Sequence, residues 1–331
     1  MEKNLLGCTS LPLPRLGLRS IPFGWRTDEA SAHAILDTYR ENGGNFIQGP
    51  AFHLADPHAT QLSHVADRIV RRWWQARGIP RADLILSARC HPGAATATNL
   101  ADRLVAACDG ALERLGTDYL DLFVLDASDR DLPLSAAREA LDLLVRTGRV
   151  RYLALTGVQA WRAADTLRLD PRRNHCRIEA LQADYSLHRR FHVETELMDL
   201  CAEHRQSLIA RVALGAERAA VAPGGAWLRD RFAEGSRHHL ARTTAAIAAN
   251  HGATAVQVAL AWVLHHPAVT TALVSAYSPA HLRELLDAAY LDLPAETVAD
   301  LNRASRSQRL ALAASRPPPR PSLWRSAFAG A

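Results

Sequence analysis

The stretch Leu115-Gly-Thr-Asp-Tyr-Leu-Asp-Leu-Phe-Val-Leu-Asp126 shows most clearly how this chain folds. Its second half, Leu120–Asp126, is a short apolar run that is typical of a buried strand. This strand lies between two segments with helical spacing of apolar residues, Asn99–Leu115 and Ser135–Thr147. Gly116 stands where the first of these helices should end. A strand with a helix on either side favours parallel pairing through crossover connections.

The same alternation runs along most of the chain and gives about eight strand–helix units. Eight such units in a chain of 331 residues predict a single (β/α)8 TIM barrel, with a doubly wound open sheet as the alternative. Helical spacing also predicts helices over Asp28–Asn42 and Thr243–His251. The predicted strands are Arg15–Leu18, Asn45–Gln48, Leu84–Arg89, Leu120–Asp126, Val150–Thr156, Ala180–Tyr185, Leu208–Ala213 and Ala272–Ala276.

Three segments stand outside this repeat. A Gly-Cys-Thr-Ser turn at 7–10, flanked by leucines, predicts a short β-hairpin that plugs the bottom of the barrel. The connection 215–239 is too long for a simple turn, and we interpret it as a lid or partner loop at the top face. The Pro/Arg-rich stretch 316–331 predicts an extended or disordered tail, which leaves 1–315 as one domain.

Composition and charge exclude several classes of protein. The chain is 48% hydrophobic and 22% charged, which is ordinary for a globular domain. Its net charge is +5 with no basic run before the tail, so we expect no nucleic-acid partner. No apolar run reaches the ~20 residues that span a bilayer, and the first ten residues lack the layout of a signal peptide. We therefore expect a cytoplasmic protein without a membrane partner.

Cysteine and histidine patterns add little chemistry. The five cysteines contain no Cys-x-x-Cys pair, so we interpret them as reduced thiols. The histidine pairs lack a third ligand at a convincing spacing, and we predict no metal site.

Several phrases in the barrel pattern resemble the aldo-keto reductases. They are Gly43-Gly-Asn-Phe-Ile47, Leu115-Gly-Thr-Asp-Tyr-Leu-Asp-Leu122, Gly148-Arg-Val-Arg-Tyr152, Ala160-Trp161 and Ala180-Leu-Gln-Ala-Asp-Tyr-Ser186. The resemblance runs from about Leu5 to Asn302. It implies a (β/α)8 barrel that holds NADPH across its C-terminal mouth and reduces a carbonyl group. It also implies catalysis by Asp, Tyr, Lys and His, with the tyrosine donating a proton to the carbonyl oxygen as hydride arrives.

Matched residue by residue, this chain has other side chains at all four catalytic positions. Gln48 stands at the aspartate position, His53 at the tyrosine, Arg89 at the lysine and Asp126 at the histidine. A shift of register cannot restore the lysine, because Lys3 is the only one in the chain and precedes the barrel.

The positions that the resemblance assigns to the cofactor also differ. Tyr277 and Ala280 replace an arginine and a glutamate that grip the adenosine phosphate end, and Arg211 replaces a tyrosine that stacks on nicotinamide. Gln182 alone remains of the contacts to the nicotinamide amide. We therefore expect no cofactor, with NADPH only under an alternative function. The residues expected to line the pocket are Arg19, Trp25, Thr156, Gln182, Tyr185 and Arg211.

The four replaced residues still form a reactive set. We hypothesise that His53 is a general acid and base, that Asp126 orients it, and that Arg89 with Gln48 stabilises an oxyanion. An imidazole beside a carboxylate shuttles protons near neutral pH. Such a set favours a non-redox isomerase, lyase or cyclase acting on a small oxygenated metabolite in specialised biosynthesis.

Two alternatives stay open. One is an NADPH-dependent carbonyl oxidoreductase in which His53 takes the place of tyrosine as proton donor. The other is a non-catalytic relative that binds a ligand or partner, in which Gln48 and Arg89 form only a polar plug. The sequence predicts a small-molecule substrate and leaves the oligomeric state open.

Overall fold

The computed structural model describes residues 1–53, 57–93, 96, 98–167, 176–212 and 234–314, without the side chains of 51–53, 57–60, 62–63, 234–238 and 307–314. Its eight parallel strands close into a barrel. The predicted (β/α)8 fold is therefore confirmed, and the open-sheet alternative is wrong.

The strands begin with a hairpin and continue around the barrel. In the hairpin, β1 (Lys3–Leu5) pairs antiparallel with β2 (Pro12–Pro14). The barrel strands are β3 (Leu16–Arg19), β4 (Phe46–His53), β5 (Ile85–His91), β6 (Leu120–Asp126), β7 (Val150–Thr156), β8 (Ile178–Asp184), β9 (Ser207–Arg211) and β10 (Val269–Val274). They lie in chain order around the barrel, and β10 closes it by pairing with β3.

Helices surround the barrel. They are α1 (Glu29–Glu41), α2 (Pro57–Ala76), α3 (Leu100–Leu115), α4 (Leu134–Arg146), α5 (Ala160–Leu167), α6 (Met198–Glu203), α7 (Glu234–Asn250), α8 (Ala255–His265), α9 (Pro279–Asp287) and α10 (Ala295–Ala314). Short 3-10 turns occupy Arg81–Asp83 and Ala288–Tyr290, and a π-helical turn occupies Val193–Leu197. Within the described part of the chain, no single helix is long and apolar enough to cross a membrane; only the pair His239–Asn250 and Ala255–His265, bent by 94°, meets the length and composition.

Local signals explain where the helices begin and end. The Asp28 side chain accepts a hydrogen bond from the backbone N–H of Ser31 and caps α1, as the predicted helix Asp28–Asn42 requires. Gly116 ends α3 in the left-handed region, at a φ of 68°.

Three predicted boundaries need correction. Helix α7 starts at Glu234, so the long connection does not extend to His239; its part 215–233 and the tail 316–331 lie outside the described residues. Strand β10 begins at Val269 rather than Ala272, because the β-branched run Val-Thr-Thr favours strand. Strand β4 continues past Gln48, through a register irregularity before Ala51.

The lower part of the barrel interior is apolar. Alternate residues of each strand point inward, and these form one cluster with leucines of the hairpin. Its members are Leu6, Leu11, Leu13, Phe46, Ile85, Leu122, Val124, Ala154, Ala180, Ile209 and Leu273. Leu6 and Leu13 are fully buried in this cluster. The predicted plug at the bottom of the barrel is therefore confirmed, and it leaves the opposite end of the barrel for the site.

Candidate functional site

Above the apolar plug, the inward positions of the strands turn polar. Counting in steps of two from the inward apolar residues reaches a set of polar side chains at or near the carboxyl ends of the strands. This set, which we call the mouth residues, consists of Arg19, Gln48, Ser87, Arg89, Asp126, Thr156, Gln182, Asp184, Arg211 and Ser275. The carboxyl ends of the strands are where TIM-barrel proteins place their functional groups. The mouth is therefore the candidate site.

Arg89 and Asp126 form a buried ion pair in the mouth. The Arg89 Nη2 atom on β5 donates to Asp126 Oδ2 on β6, and the backbone N–H of Ser128 donates to Asp126 Oδ1 at 3.0 Å. Burial by itself raises the pKa of Asp126, but the charge of Arg89 and the hydrogen bonds outweigh it and hold that pKa below its ordinary value. Asp126 is therefore ionised at neutral pH.

Gly157 makes room for this carboxylate. Gly157 follows β7 at a φ of 70°, which is the left-handed region. A Cβ atom at this position would lie 2.8 Å from Asp126 Oδ1 and 2.8 Å from Ser128 Cβ. Asp126 and Gly157 thus depend on each other, because any side chain at 157 would displace the carboxylate.

A second ion pair lies across the mouth. Arg211 on β9 contacts Asp184 on β8, with 2.8 Å between Nη2 and Oδ1, and Arg189 contacts the other oxygen of Asp184 at 3.0 Å. Burial, together with the nearby charges of Arg89 and Arg19, lowers the pKa of Arg211 to about 10. Asp184 therefore neutralises only part of a cationic region.

Two glutamines connect opposite strands of the barrel. The Gln182 Nε2 atom donates to Gln48 Oε1 at 2.9 Å, and Gln48 Nε2 donates to Ser87 Oγ at 3.3 Å. The Thr156 hydroxyl donates to the backbone carbonyl of Gln182 at 2.8 Å. Gln48, Thr156 and Gln182 are all buried, so this network forms the floor of the mouth.

Four buried polar atoms of the mouth have no hydrogen-bond partner. They are Arg89 Nε, Arg211 Nε, Gln182 Oε1 and Ser275 Oγ. Leaving such an atom unpaired costs about 1–3 kcal/mol, so unpaired atoms that share one region indicate a place where a ligand completes the bonding.

The structure brings most of the predicted site residues together. Gln48, Arg89, Asp126, Thr156, Gln182, Arg19 and Arg211 all belong to the mouth. Strand β4 extends to His53, whose backbone is in register with His91 on β5, so His53 stands at the same end of the barrel. Its side chain lies outside the described part, and the predicted contact between His53 and Asp126 stays a prediction. The described partners of Asp126 are Arg89 and Ser128.

One predicted lining residue, Tyr185, lies elsewhere, whereas the place of Trp25 in the pocket lining stays a prediction. Tyr185 follows β8 on the outward side, is fully buried, and donates its hydroxyl hydrogen to Glu194 Oε1 at 2.8 Å. The prediction that Tyr185 lines the pocket is therefore wrong, because the period of two turns it toward the helices, where it packs 5.2 Å from the Trp262 ring. Trp25, in the segment after β3, is 49% exposed and carries Arg26 over its ring.

Sequence reasoning missed three residues of the site. Asp184 is the partner of Arg211, and Ser275 is the inward residue just past β10. Counting inward positions in steps of two from Ala180 and Leu273 would have found Asp184 and Ser275. Gly157 carried no such signal, because its role depends on where Asp126 lies in three dimensions.

A closed parallel barrel with polar side chains gathered at the carboxyl ends of its strands defines the TIM-barrel class of proteins. Within that class, the Aldo/keto reductase family model matches residues 15–306. The chain belongs to the aldo/keto reductase family.

Individual relatives are similar over nearly the whole chain. An uncharacterized oxidoreductase, YrpG of Bacillus subtilis, is 25% identical and the match covers 91% of this chain and 95% of that protein. Protein tas of Escherichia coli is 26% identical, covering 91% and 96%. Aryl-alcohol dehydrogenase GME11368 of Pestalotiopsis microspora is 24% identical, covering 91% and 83%. Among solved structures, the thermostable aldo-keto reductase Tm1743, in complex with the inhibitor epalrestat, matches with a TM-score of 0.71 at 25% identity, covering 92% of this chain and 100% of that one.

Proposed function

We propose that this protein is an oxidoreductase that interconverts a carbonyl group and an alcohol with NADPH, and that His53 is its proton donor. The observation that carries the proposal is the buried, unpartnered Gln182 Oε1 atom. Gln182 is the residue that the resemblance gives to the nicotinamide amide, and an oxygen in this state is an acceptor for an amide N–H.

The relatives support this function over a non-redox one. YrpG and GME11368 carry the names of an oxidoreductase and a dehydrogenase, and Tm1743 is an aldo-keto reductase. None of the three points to an isomerase, a lyase or a cyclase. We therefore place the oxidoreductase, which the sequence left as an alternative, ahead of the non-redox enzyme.

The residues of the mouth fit the nicotinamide end of the cofactor. Gln182 uses its amide nitrogen on Gln48 and keeps its oxygen available. Arg211, at the position of the stacking tyrosine, has a planar guanidinium held by Asp184, and such a plane also stacks on a ring. When bound, the cofactor supplies the hydride.

The proton has to come from another side chain of this protein. Asp126 is ionised at neutral pH because Arg89 and Ser128 hold its pKa low, so it has no proton to give. Arginine stays protonated at any physiological pH, so Arg89 holds an anion and does not exchange a proton. Histidine titrates in the physiological range, and two histidines, His53 on β4 and His91 on β5, stand in register at this end of the barrel. We assign the proton to His53 because the resemblance puts it at the position of the tyrosine.

Titration with NADPH, followed by cofactor fluorescence, tests the proposal. We expect saturable binding to the wild type, and about tenfold weaker binding after Gln182→Leu because a hydrogen bond to the amide is lost. Gln182→Glu keeps the acceptor oxygen and serves as the comparison. Absence of binding would contradict the proposal and favour the non-redox enzyme or the non-catalytic relative.

The role of His53 has its own test. We expect His53→Ala to lower the single-turnover rate of reduction of an aromatic aldehyde by at least about 100-fold, because general acid catalysis contributes that much to the rate. NADPH should still bind to this variant. His91→Ala, at the register partner on β5, is the matched comparison. A loss in the His91 variant with none in the His53 variant would move the proton donor to the neighbouring strand.

A further inference from the structure

Strand β4 contains a bulge between Gln48 and Ala51. Gln48 is in register with Ser87 on β5, and Ala51 is in register with Arg89. Three steps along β4 thus match two steps along β5, so β4 carries one extra residue within Gly49–Pro50. A bulge of this kind changes which of the following residues face the inside of the barrel.

The bulge determines the row of residues to which position 53 belongs. Gln48 is an inward position, so regular alternation would place the even-numbered residues of β4 inward and His53 on the side of the helices. After the bulge, His53 is in register with His91, which lies two residues beyond the inward Arg89. Position 53 therefore belongs to the inward row because β4 carries the extra residue.

Asp67 of α2 packs against the bulge from the outside of the barrel. A Cβ atom on Gly49 would lie 2.9 Å from Asp67 Oδ1 and 3.5 Å from the backbone carbonyl oxygen of Ser87. The backbone of Gly49 lies outside the left-handed region, so the contact with Asp67, and not a dihedral angle, excludes a side chain here. Asp67 is 1% exposed, and its carboxyl group therefore backs the bulge directly.

Arg114 of α3 holds this carboxyl group. The Arg114 Nε atom donates to Asp67 Oδ2 at 3.1 Å, and both side chains are largely buried. A buried ion pair adds little net stability compared with apolar residues that fill the same space, and such pairs can instead fix one conformation. Here the bond to Oδ2 keeps the other oxygen, Oδ1, against Gly49.

We propose that Asp67 is a positioning residue: held by Arg114, its carboxyl group keeps the bulge of β4 in place and thereby keeps position 53 in the inward row of the mouth. Without the carboxyl group the extra residue can move along β4, and a shift past position 53 turns that position toward the helices. The task of His53 as proton donor rests on the proposed function, whereas the placement of position 53 does not.

Bridging of two introduced thiols tests this placement without any measurement of activity. His53→Cys combined with His91→Cys puts thiols at register partners on neighbouring strands, which lie about 4.8 Å apart. Dibromobimane becomes fluorescent when it links two such thiols. We expect more bridging in this double-cysteine protein than in either single variant, which measures the background from the exposed native Cys8. Bridging no greater than this background would overturn the proposal.

Changes at Asp67 and Gly49 then test what holds the bulge. In the double-cysteine protein, Asp67→Ala and Gly49→Ala should each slow bridging at least about tenfold, because the first removes the group behind the bulge and the second overpacks it. The two changes together should restore most of the rate, since the added methyl group fills space that the carboxyl group leaves. Unchanged bridging after Asp67→Ala would overturn the proposal. Gly49→Ala keeps the pair with Arg114 and carries the test if Asp67→Ala does not fold.

Arg81→Met is the matched control for the loss of a buried ion pair. Arg81 contacts Asp121 at 2.7 Å near the amino ends of β5 and β6, at the other end of the barrel from position 53. We expect this variant to lose stability and to keep the bridging rate of the double-cysteine protein. Slower bridging in the Arg81 variant, equal to that after Asp67→Ala, would overturn the specific role of Asp67.

Kinetics of the protein with its native histidines separate this inference from the proposed function. Asp67→Ala should lower the single-turnover rate of aldehyde reduction and leave the affinity for NADPH unchanged, because it displaces the proton donor and not Gln182. Arg81→Met should change neither quantity. If the wild type binds no NADPH, the proposed function fails and the bridging experiment still decides the placement of position 53. Normal NADPH binding with bridging that is insensitive to Asp67 would overturn this inference and leave the oxidoreductase standing.

Discussion

Buried pairs of one arginine and one aspartate recur through this molecule. Besides the pair in the mouth, Arg81 contacts Asp121 at 2.7 Å, and Arg114 contacts Asp67 at 3.1 Å. The chain has a single lysine at position 3, so arginine is the cation at each of these sites. Removing one partner of such a pair leaves the other charge buried without a partner and lowers the free energy of unfolding by about 3–5 kcal/mol. The pairs therefore fix the strands and helices that bear them.

Asp67 on α2 should make stability depend on pH. This residue is 1% exposed behind Gly49 of β4, and burial raises its pKa from 3.8 to about 7 although Arg114 opposes the shift. Between these values the folded state holds a proton that the unfolded state has lost. The contribution of Asp67 to the free energy of unfolding is therefore fully present below about pH 4 and is lost as the pH rises through 7, by at most about 1.4 kcal/mol per pH unit.

Urea denaturation from pH 4.5 to 8 measures this dependence as the difference in the free energy of unfolding between the wild type and Asp67→Asn. We expect the stability advantage of the wild type to shrink with rising pH. Asp37→Asn is the control, since Asp37 is one-third exposed and Arg77 with Trp73 holds its pKa below the ordinary value despite burial. A difference between the wild type and Asp67→Asn that does not change with pH over this range would contradict the prediction.

At the scale of elements, helix α8 begins with a capping box. The Thr254 hydroxyl accepts from the backbone N–H of Gln257 at 3.2 Å, and the Gln257 side chain accepts from the backbone N–H of Thr254 at 2.8 Å. The same hydroxyl donates to Glu284 on α9 at 2.7 Å. The Thr254 side chain thus caps α8 and also connects α8 to α9.

Thr254→Ala should lower the free energy of unfolding by about 1–2 kcal/mol, because it removes the cap and the contact to α9 together. Thr254→Ser keeps the hydroxyl and should restore most of the loss. Thermal and urea unfolding of the two variants measure these changes in the free energy of unfolding. An alanine variant as stable as the serine variant would show that the cap contributes nothing here.

The elements were predictable where a local rule was strong and uncertain where it was not. Helix α1 was predictable because Asp28 caps a clear amphipathic segment, and β6 because five of its seven residues are apolar. The extension of β4 through Gly49 and Pro50 was not, since both residues argue against a strand and the pairing with β5 outweighs them. The start of β10 was missed for the opposite reason, because its polar threonines hid a strand-forming run.

The site was predictable as a set of positions but not as a set of contacts. A resemblance in sequence placed Gln48, Arg89 and Asp126 at the barrel mouth, and the structure agrees. It predicted a contact between Asp126 and His53, which stays a prediction, and it did not predict the described contact of this carboxylate with Arg89. Which cation a buried carboxylate pairs with depends on side-chain reach across neighbouring strands, and single-sequence patterns do not contain that information.

In the molecule as a whole, the bottom of the barrel carries apolar packing that stabilises the fold, and the mouth carries the functional groups. The hairpin plug fills the bottom with leucines, while the mouth gathers arginines and carboxylates at the other end. This division is general for TIM barrels, in which the carboxyl ends of the strands carry the functional groups. A cavity at the bottom should therefore lower stability and leave ligand binding at the mouth intact.

Leu13→Ala tests this separation. Leu13 is fully buried against the barrel interior, so its truncation should lower the free energy of unfolding by about 2–5 kcal/mol. Leu5→Ala is the matched control in the same hairpin, because Leu5 is 59% exposed and its loss should change stability by less than about 0.5 kcal/mol. For the folded fraction of both variants we expect the wild-type affinity for NADPH, measured by titration well below the unfolding temperature. A weaker affinity in the folded Leu13 variant would mean that the plug also sets the geometry of the mouth, since the inward side chains of each strand stack in layers from one end of the barrel to the other.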